Sequence, residues 1–269
     1  MNIVCCFDRG FYKGFVVMMR SLVDHLEETS LRVFVIHRSL DARACEELDG
    51  LVSRFTEGIE LRFIKAEGSS LPRQVPRPGH FRLENYFRLL IPALLPQEID
   101  RVLYLDCDLL ITDNATEIYN APLEGKAIAI AGNWNSGVMV MNLAEWRERN
   151  FGERMLQFAA ENPEQCPLAD NSAIMKILSS EDAHFLNERW NASHEVNEGH
   201  KGVIHFVGAV KPWHFNYPAN GHRSLFYQTL DRTPFRGWRP TAPRWHEALA
   251  ASIKGRLKAL VFIRKLLGK

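Results

Sequence analysis

Two aspartates one residue apart, Asp106 and Asp108, interrupt the apolar run RVLYLDCDLLITDN at residues 101–114. Ionised carboxylates are costly to bury unless they are paired or bound to a metal. In an extended chain, residues two apart project from the same face, and oxygen ligands in an open geometry suit Mg2+ or Mn2+. A bare pair of this kind is better explained as a cap at a strand end or turn. The balance shifts with a second stretch, HFVGAVKPW, where His205 offers an imidazole nitrogen and would tilt the metal preference toward Mn2+. Gly208 allows close backbone approach to a phosphate and Lys211 supplies a point charge for it. Alone, His205 in an apolar run reads as a hydrogen-bonded core residue. Imidazole, glycine and lysine at these spacings are harder to explain by packing.

Elements that must position these groups alternate along the chain. Residues 2–8, NIVCCFD, form a short apolar run ending in an acid; FVVMMRSLVDHLEE then places Val16, Met19, Leu22 and Leu26 at helical spacing. LRVFVIHRS reads as a strand, DARACEELDGLVSRF as a helix with Leu48, Leu51 and Phe55 on one face, and IELRFIKA as a strand alternating Ile59, Leu61 and Phe63. This alternation predicts an α/β fold with a largely parallel sheet covered on both faces. Residues 67–80, EGSSLPRQVPRPGH, break the pattern as a long loop. RLENYFRLLIPAL predicts a helix and DRVLYLDCDLLI one strand; AIAIAG, SGVMVMNL and GVIHFVG predict further strands, AEWRERNFGERMLQFAAE and ADNSAIMKIL further helices. The aspartate pair falls where the apolar part of its strand is ending, and ligands of open α/β sheets collect beyond strand carboxyl ends.

The chain has 269 residues, 46% hydrophobic and 24% charged, enough for one large α/β domain or for two small domains, and too apolar for disorder. Net charge is +1 but uneven: seven Lys/Arg against one acid from Arg244 onward give that segment +6. A neutral-to-acidic body with a basic tail excludes the broad basic footprint of a nucleic-acid binder. The five cysteines lack metal-type spacing and point to a reducing compartment without disulfides. With no signal peptide in MNIVCCFDRG and no apolar run of membrane-spanning length, a cytoplasmic protein is expected.

LPQEIDRVLYLDCDLLI, NSGVMVMNLAEW and HFVGAVKPW, in this order, resemble glycosyltransferase family 8, the retaining nucleotide-sugar transferases of the GT-A fold, over roughly residues 1–215. The resemblance implies a Rossmann-like, mostly parallel central sheet flanked by helices, with 216–269 as an aromatic and basic C-terminal extension. It implies Mn2+ (or Mg2+) held by Asp106, Asp108 and His205 against the diphosphate of a UDP-sugar, with Gly208 and Lys211 on the phosphates. Asp8 would contact uracil, and Phe11, or Tyr12 by one slip, would stack on the base. Arg88 in NYFRLLIP would face donor phosphate and sugar, while Asn135 and Asp170 would bind sugar hydroxyls.

Where the family places a Gln or Asp one position after that aspartate, this chain has Asn171, a poor nucleophile. That favours same-face attack by the acceptor over double displacement. Two further departures, Gly10 in place of a polar residue and the short connection AIAIAGNWNSG, leave donor sugar and acceptor open. The expected activity is transfer of glucose or galactose to a glycan acceptor, such as a bacterial surface polysaccharide, a lipopolysaccharide or a lipid-linked glycan. The alternatives are a protein-glycosylating transferase, a non-catalytic UDP-sugar-binding module and a membrane-binding scaffold. In the tail, Trp245, Leu249, Ile253, Leu257, Leu260 and Leu267 share one face of an expected helix, 244–267, with Lys/Arg mainly elsewhere. Periodicity favours packing on the body. The basic, aromatic tails of lipopolysaccharide-elongating members shift the expectation to peripheral contact with an anionic inner membrane surface.

Overall fold

Residues 1–26, 30–54, 57–66, 71–72, 74–195 and 201–242 are described by the structure, a computed structural model. The first half winds outward and then turns back. Strand β1 (Asn2–Cys6) leads through α1 (Tyr12–Asp24) to β2 (Leu31–His37), then through α2 (Ala42–Val52) to β3 (Ile59–Lys65). The Asp41 side chain caps α2 by accepting from Ala44 N at 2.8 Å. The chain then returns to the other side of β1 with β4 (Arg101–Leu105), making β1 and β4 the switch point of the sheet.

Among the described residues the large sheet has seven strands in the order β3-β2-β1-β4-β7-β6-β8, where β6 is Ile128–Ala131, β7 Val138–Asn142 and β8 Ala183–Leu186. All run one way except β7, which is antiparallel to both β4 and β6. Alternate residues of each strand face two cores. Val4, Phe34, Tyr104 and Met139 pack under α5 (Leu143–Glu148), α6 (Phe151–Glu161) and α7 (Asp170–Ile177); Ile3, Val33, Leu103 and Val140 pack under α1 and α2. The expected mostly parallel, doubly covered sheet is therefore what the chain builds.

Two predicted elements differ. RLENYFRLLIPAL forms a 3-10 helix at Leu83–Leu90 and only then one α-turn, α3 (Ile91–Leu94). At the junction Pro92 has no N–H for the Arg88 carbonyl, which accepts from Ile91 N instead in a 3-10 bond. The single strand expected over DRVLYLDCDLLI is broken. The chain leaves the large sheet at Leu105, turns through Asp106, Cys107 and Asp108, and enters β5 (Leu109–Ile111) of a second sheet ordered β5-β10-β9. Here β9 is Ala192–Ser193 and β10 is Val203–His205. Asp106 N donates to Gly137 O at 2.9 Å on the large sheet, and Asp108 O accepts from Phe206 N at 2.9 Å on the small one. The aspartate turn is the joint between two sheets.

Helix α4 (Thr116–Tyr119) follows β5, and α8 (Gly221–Leu230) follows an aromatic turn region. Phe226, Tyr227 and Leu230 of α8 share a cluster with Val17 of α1, Leu110 of β5 and Phe206. Helix α8 thus adds to the core of the body. The expected helix 244–267 lies outside the described residues.

Candidate active site

A cavity of about 340 Å³ opens at the carboxyl ends of β1 and β4. Asp8 and Phe11 follow β1, Asp106 and Asp108 follow β4, Asn135 and Ser136 precede β7, Asp170 and Asn171 open α7, and His205, Gly208 and Lys211 come from the end of β10. All of these, with Arg88, lie on its wall. Tyr12 does not: it is buried on α1 with its hydroxyl donating to Ala44 O at 3.1 Å. Phe11 holds the aromatic position at the wall, edge-on to Trp213 with ring centroids 5.5 Å apart.

Asp106 and Asp108 are held by different partners. Asp106 Oδ1 accepts from Arg88 Nη2 at 3.0 Å and from the Tyr104 hydroxyl at 2.6 Å. Arg88 in turn gives Nη1 to Ser136 O and Oγ at 2.8 and 2.7 Å, while its guanidinium lies 4.5 Å over the Tyr104 ring. Arg88 Nε sits 2.9 Å from Asp170 Oδ2, but its N–H points to Asn85 O at 3.1 Å, so the Asp170 contact is coulombic. Burial opposes the Arg88 charge, and Asp106 and Asp170 more than offset it. Asp170 is 2% exposed. Its burial pushes the carboxyl up to about 6, Arg88 opposing that rise and Asp106 adding to it.

Asp108 faces the small sheet. Lys211 Nζ binds its Oδ2 and also donates to Phe206 O at 2.7 Å, while His205 Nε2 lies 3.5 Å from Oδ1. Burial alone would raise the Asp108 carboxyl; Lys211 and then His205 reverse the effect and hold it below the usual carboxylate range. Cys107, between the two acids, is buried in the core under α1, and burial pushes its thiol up, so it stays neutral.

One ligand atom each of Asp106, Asp108 and His205 falls within 4.8 Å of the others. Two carboxylate oxygens and one imidazole nitrogen fit a divalent metal ion. The backbone is shaped for the same cluster. A Cβ on Gly137 would come within 2.3 Å of His205 Cε1 and 3.0 Å of Asp106 Oδ2, so only glycine lets the imidazole and carboxylate converge there. Gly208 has φ +88°, the left-handed region that favours glycine, where the chain turns between His205 and Lys211.

The profile described as Glycosyl transferase family 8 matches residues 2–133 and 126–217, the segments that supply every group in this cavity. The chain belongs to glycosyltransferase family 8. Among relatives, General stress protein A of Bacillus subtilis is 25% identical, over 80% of this chain and 88% of its own. The lipopolysaccharide 1,3-galactosyltransferase of Salmonella typhimurium is 20% identical, over 87% of this chain and 79% of its own. The galactosyltransferase LgtC, solved in complex with donor and acceptor sugar analogs, superposes with TM-score 0.74 at 18% identity, covering 91% of this chain and 98% of that one. That likeness is one of fold, and it makes the α/β architecture of this family 8 chain the GT-A arrangement.

Three further groups on the cavity wall and one behind it were not singled out in the sequence. Arg82 reaches across from the segment before the 3-10 helix to pair with Asp8 Oδ2, whose other oxygen accepts from Gly10 N at 2.7 Å. His80 lines the cavity beside it. Ser136 takes Arg88 Nη1 through its carbonyl and hydroxyl, and Ser136 N donates to Asn171 Oδ1 at 2.9 Å. Asn191 is the fourth, buried behind His205.

Proposed function

We propose that this glycosyltransferase is a Mn2+-dependent, retaining hexosyltransferase that moves glucose or galactose from a UDP-sugar to a glycan acceptor. The observation that carries the reading is the convergence of Asp106, Asp108, His205 and Lys211 in one cavity with Asp8, Phe11, Asn135 and Asp170. Relatives named as lipopolysaccharide 1,3-galactosyltransferase and lipopolysaccharide 1,2-glucosyltransferase support these two hexoses and a surface-glycan acceptor.

Transfer breaks the bond between the anomeric carbon and the diphosphate oxygen, and that oxygen keeps the electron pair. Mn2+ held by Asp106, Asp108 and His205 would supply positive charge against the leaving diphosphate. Lys211 is the protein cation placed to add to it, since its ammonium sits on Asp108 at the same cluster. Arg88 has most of its donors engaged by Ser136, Asp106 and Asn85, so its work is to hold the Asp106 carboxylate in place. Asn135 and Asp170 offer an amide and a carboxyl to the sugar hydroxyls. Asn171 is an amide tied to Ser136 N, which supports direct same-face attack: the acceptor oxygen bonds to the anomeric carbon and passes its proton to the departing phosphate.

Mn2+-dependent UDP release from UDP-glucose and UDP-galactose, with and without glycan acceptors, tests the reading. Asp108→Ala is expected to abolish it. UDP binding without turnover against any acceptor would instead mark a binding module. For the tail, whose segment 244–269 carries +6, the reading is peripheral contact with an anionic membrane. Among the described residues no helix is long and apolar enough to cross a membrane. Salt-sensitive binding to anionic liposomes should vanish when 244–269 is deleted.

A further inference from the structure

Asn191 closes the 3-10 helix Glu188–Asn191 and is 2% exposed. Its side chain lies between two groups of the cavity, each far away in sequence. Nδ2 donates to Asn135 O at 2.6 Å and to Asn135 Oδ1 at 3.1 Å, while Oδ1 lies 2.8 Å from His205 Nδ1. The orientation of this amide follows from its neighbours. A main-chain carbonyl only accepts, so the end of Asn191 facing Asn135 O is the amino group and the end facing His205 is the carbonyl. That carbonyl only accepts as well, so the proton of the neutral imidazole sits on Nδ1. Nε2 is left with its lone pair directed to the side where Asp106 and Asp108 lie, at 3.9 and 3.5 Å.

The same side chain also orients Asn135. Asn135 Oδ1 is taken by Gly137 N at 2.9 Å and by Asn191 Nδ2. Its own Nδ2, with no hydrogen bond among the described residues, is the end left for a ligand at the cavity wall. Around Asn191 the scaffold is firm: Arg189 pairs with Asp113 at 2.6 Å and Glu117 at 2.9 Å and lies 4.2 Å over the Trp190 ring. Strand β9, which begins one residue later, runs parallel to β10 with Ser193 opposite His205.

We infer that Asn191 is a positioning residue for donor binding, setting the His205 tautomer that can ligate a metal and the Asn135 amide that can meet the donor sugar. The inference rests on the metal reading given above. It treats the two tasks as separable, because they use opposite ends of one amide. In Asn191→Asp a carboxylate still accepts from His205 Nδ1 but can no longer donate to Asn135. In Asn191→Leu both bonds are lost.

The test combines histidine tautomers with ligand affinities. Nitrogen NMR of isotope-labelled histidine in mildly alkaline, metal-free buffer, with the His205 signal identified by its loss in His205→Asn, is expected to show the proton on Nδ1. Mn2+ binding in the presence of UDP, followed by the spin-resonance signal of free Mn2+, should weaken about 10- to 100-fold in Asn191→Leu. It should stay near the native level in Asn191→Asp. In Asn191→Asp, affinity for intact UDP-sugar should fall while affinity for UDP does not, a split that a general loss of structure would not produce. A His205 proton on Nε2, native Mn2+ affinity in a folded Asn191→Leu, or parallel loss of UDP and UDP-sugar in Asn191→Asp would each overturn the role of Asn191. Failure of the unaltered protein to take up Mn2+ would instead overturn the metal reading and leave the tautomer result standing on its own.

Discussion

The two aspartates of one short turn live in different environments. Asp106 belongs to the large sheet: its partners are Arg88, stacked on Tyr104 and bonded twice to Ser136, and the Tyr104 hydroxyl itself. Asp108 belongs to the small sheet: its partners are the Lys211 ammonium, which also donates to Phe206 O, and the His205 imidazole. A planar guanidinium held in several directions is a fixed fork, whereas an ammonium on four methylenes exchanges partners easily. The first side of the turn is thus a frame, and the second is where charge can be handed to a ligand. The difference teaches that a symmetric-looking motif divides its labour by which sheet each acid faces.

The largest expected effect tests the frame. Arg88→Leu leaves the buried Asp170 and the half-buried Asp106 without their shared cation, and breaking the buried Arg88–Asp170 pair costs about 3–5 kcal/mol. Urea unfolding of the metal-free protein should show that loss, and Mn2+ should restore little of it because Asp170 stays unpaired. A stability close to that of the unaltered chain would break the comparison on its structural side.

Lys211→Met tests the other side. Removing one preorganised positive group from a leaving oxygen lowers kcat by about 10²–10³-fold. The fold should suffer less than in Arg88→Leu, since Asp108 keeps His205 nearby, and Mn2+ should recover most of the lost melting temperature. Equal stability losses in the two variants, with kcat nearly unchanged in Lys211→Met, would show the two cations to be equivalent.

What the residues disclosed in advance follows the same division. Alternating apolar strands and periodic helices were legible because burial on a sheet face or helix stripe repeats along the chain. The metal-type acids, His205, Gly208 and Lys211 were legible because short motifs carry them. The break at residues 106–108 was not, since LYLDCDLLI is apolar on both sides of the turn and nothing local says that Leu109 joins another sheet. The reversed direction of β7 was equally hidden, because a strand buried on both faces reads alike either way. Asn191 and Ser136 escaped because their work is done through hydrogen bonds to residues 56 and 35 positions away. Arg82 escaped because an arginine in a loop announces no partner.

Acid and base should separate the two sides by sign. Asp170, next to the frame, titrates near 6 in the fold against an ordinary 3.8, so the folded state holds its proton longer than the unfolded chain. Its contribution to stability therefore falls as pH rises from about 4 to about 6, with a slope of at most about 1.4 kcal/mol per unit. Asp108 is held below the ordinary range, so its contribution is present above about 4 and is lost as pH falls further. Unfolding free energies measured across this range should lose the falling limb in Asp170→Asn and keep the acid limb. A pH profile identical to that of the unaltered protein would remove Asp170 from the account.

The smallest effect is expected at Asn171, which touches the frame through Ser136 and faces the cavity where the sugar would lie. Asn171→Ala frees Ser136 N from its side-chain acceptor at a partly buried position, a loss of about 1 kcal/mol. If attack occurs on the face from which the diphosphate leaves, no group at residue 171 forms a bond to the sugar, and the variant should turn over within about tenfold of the native rate. Mass spectrometry of the enzyme during turnover should then find no glycosylated protein in either form. A covalent glycosyl-enzyme accumulating in Asn171→Ala would mean that another side chain is the nucleophile and that Asn171 normally assists its release. Asp170 would be the first to examine, because its carboxyl adjoins residue 171 and shares the wall of the same cavity.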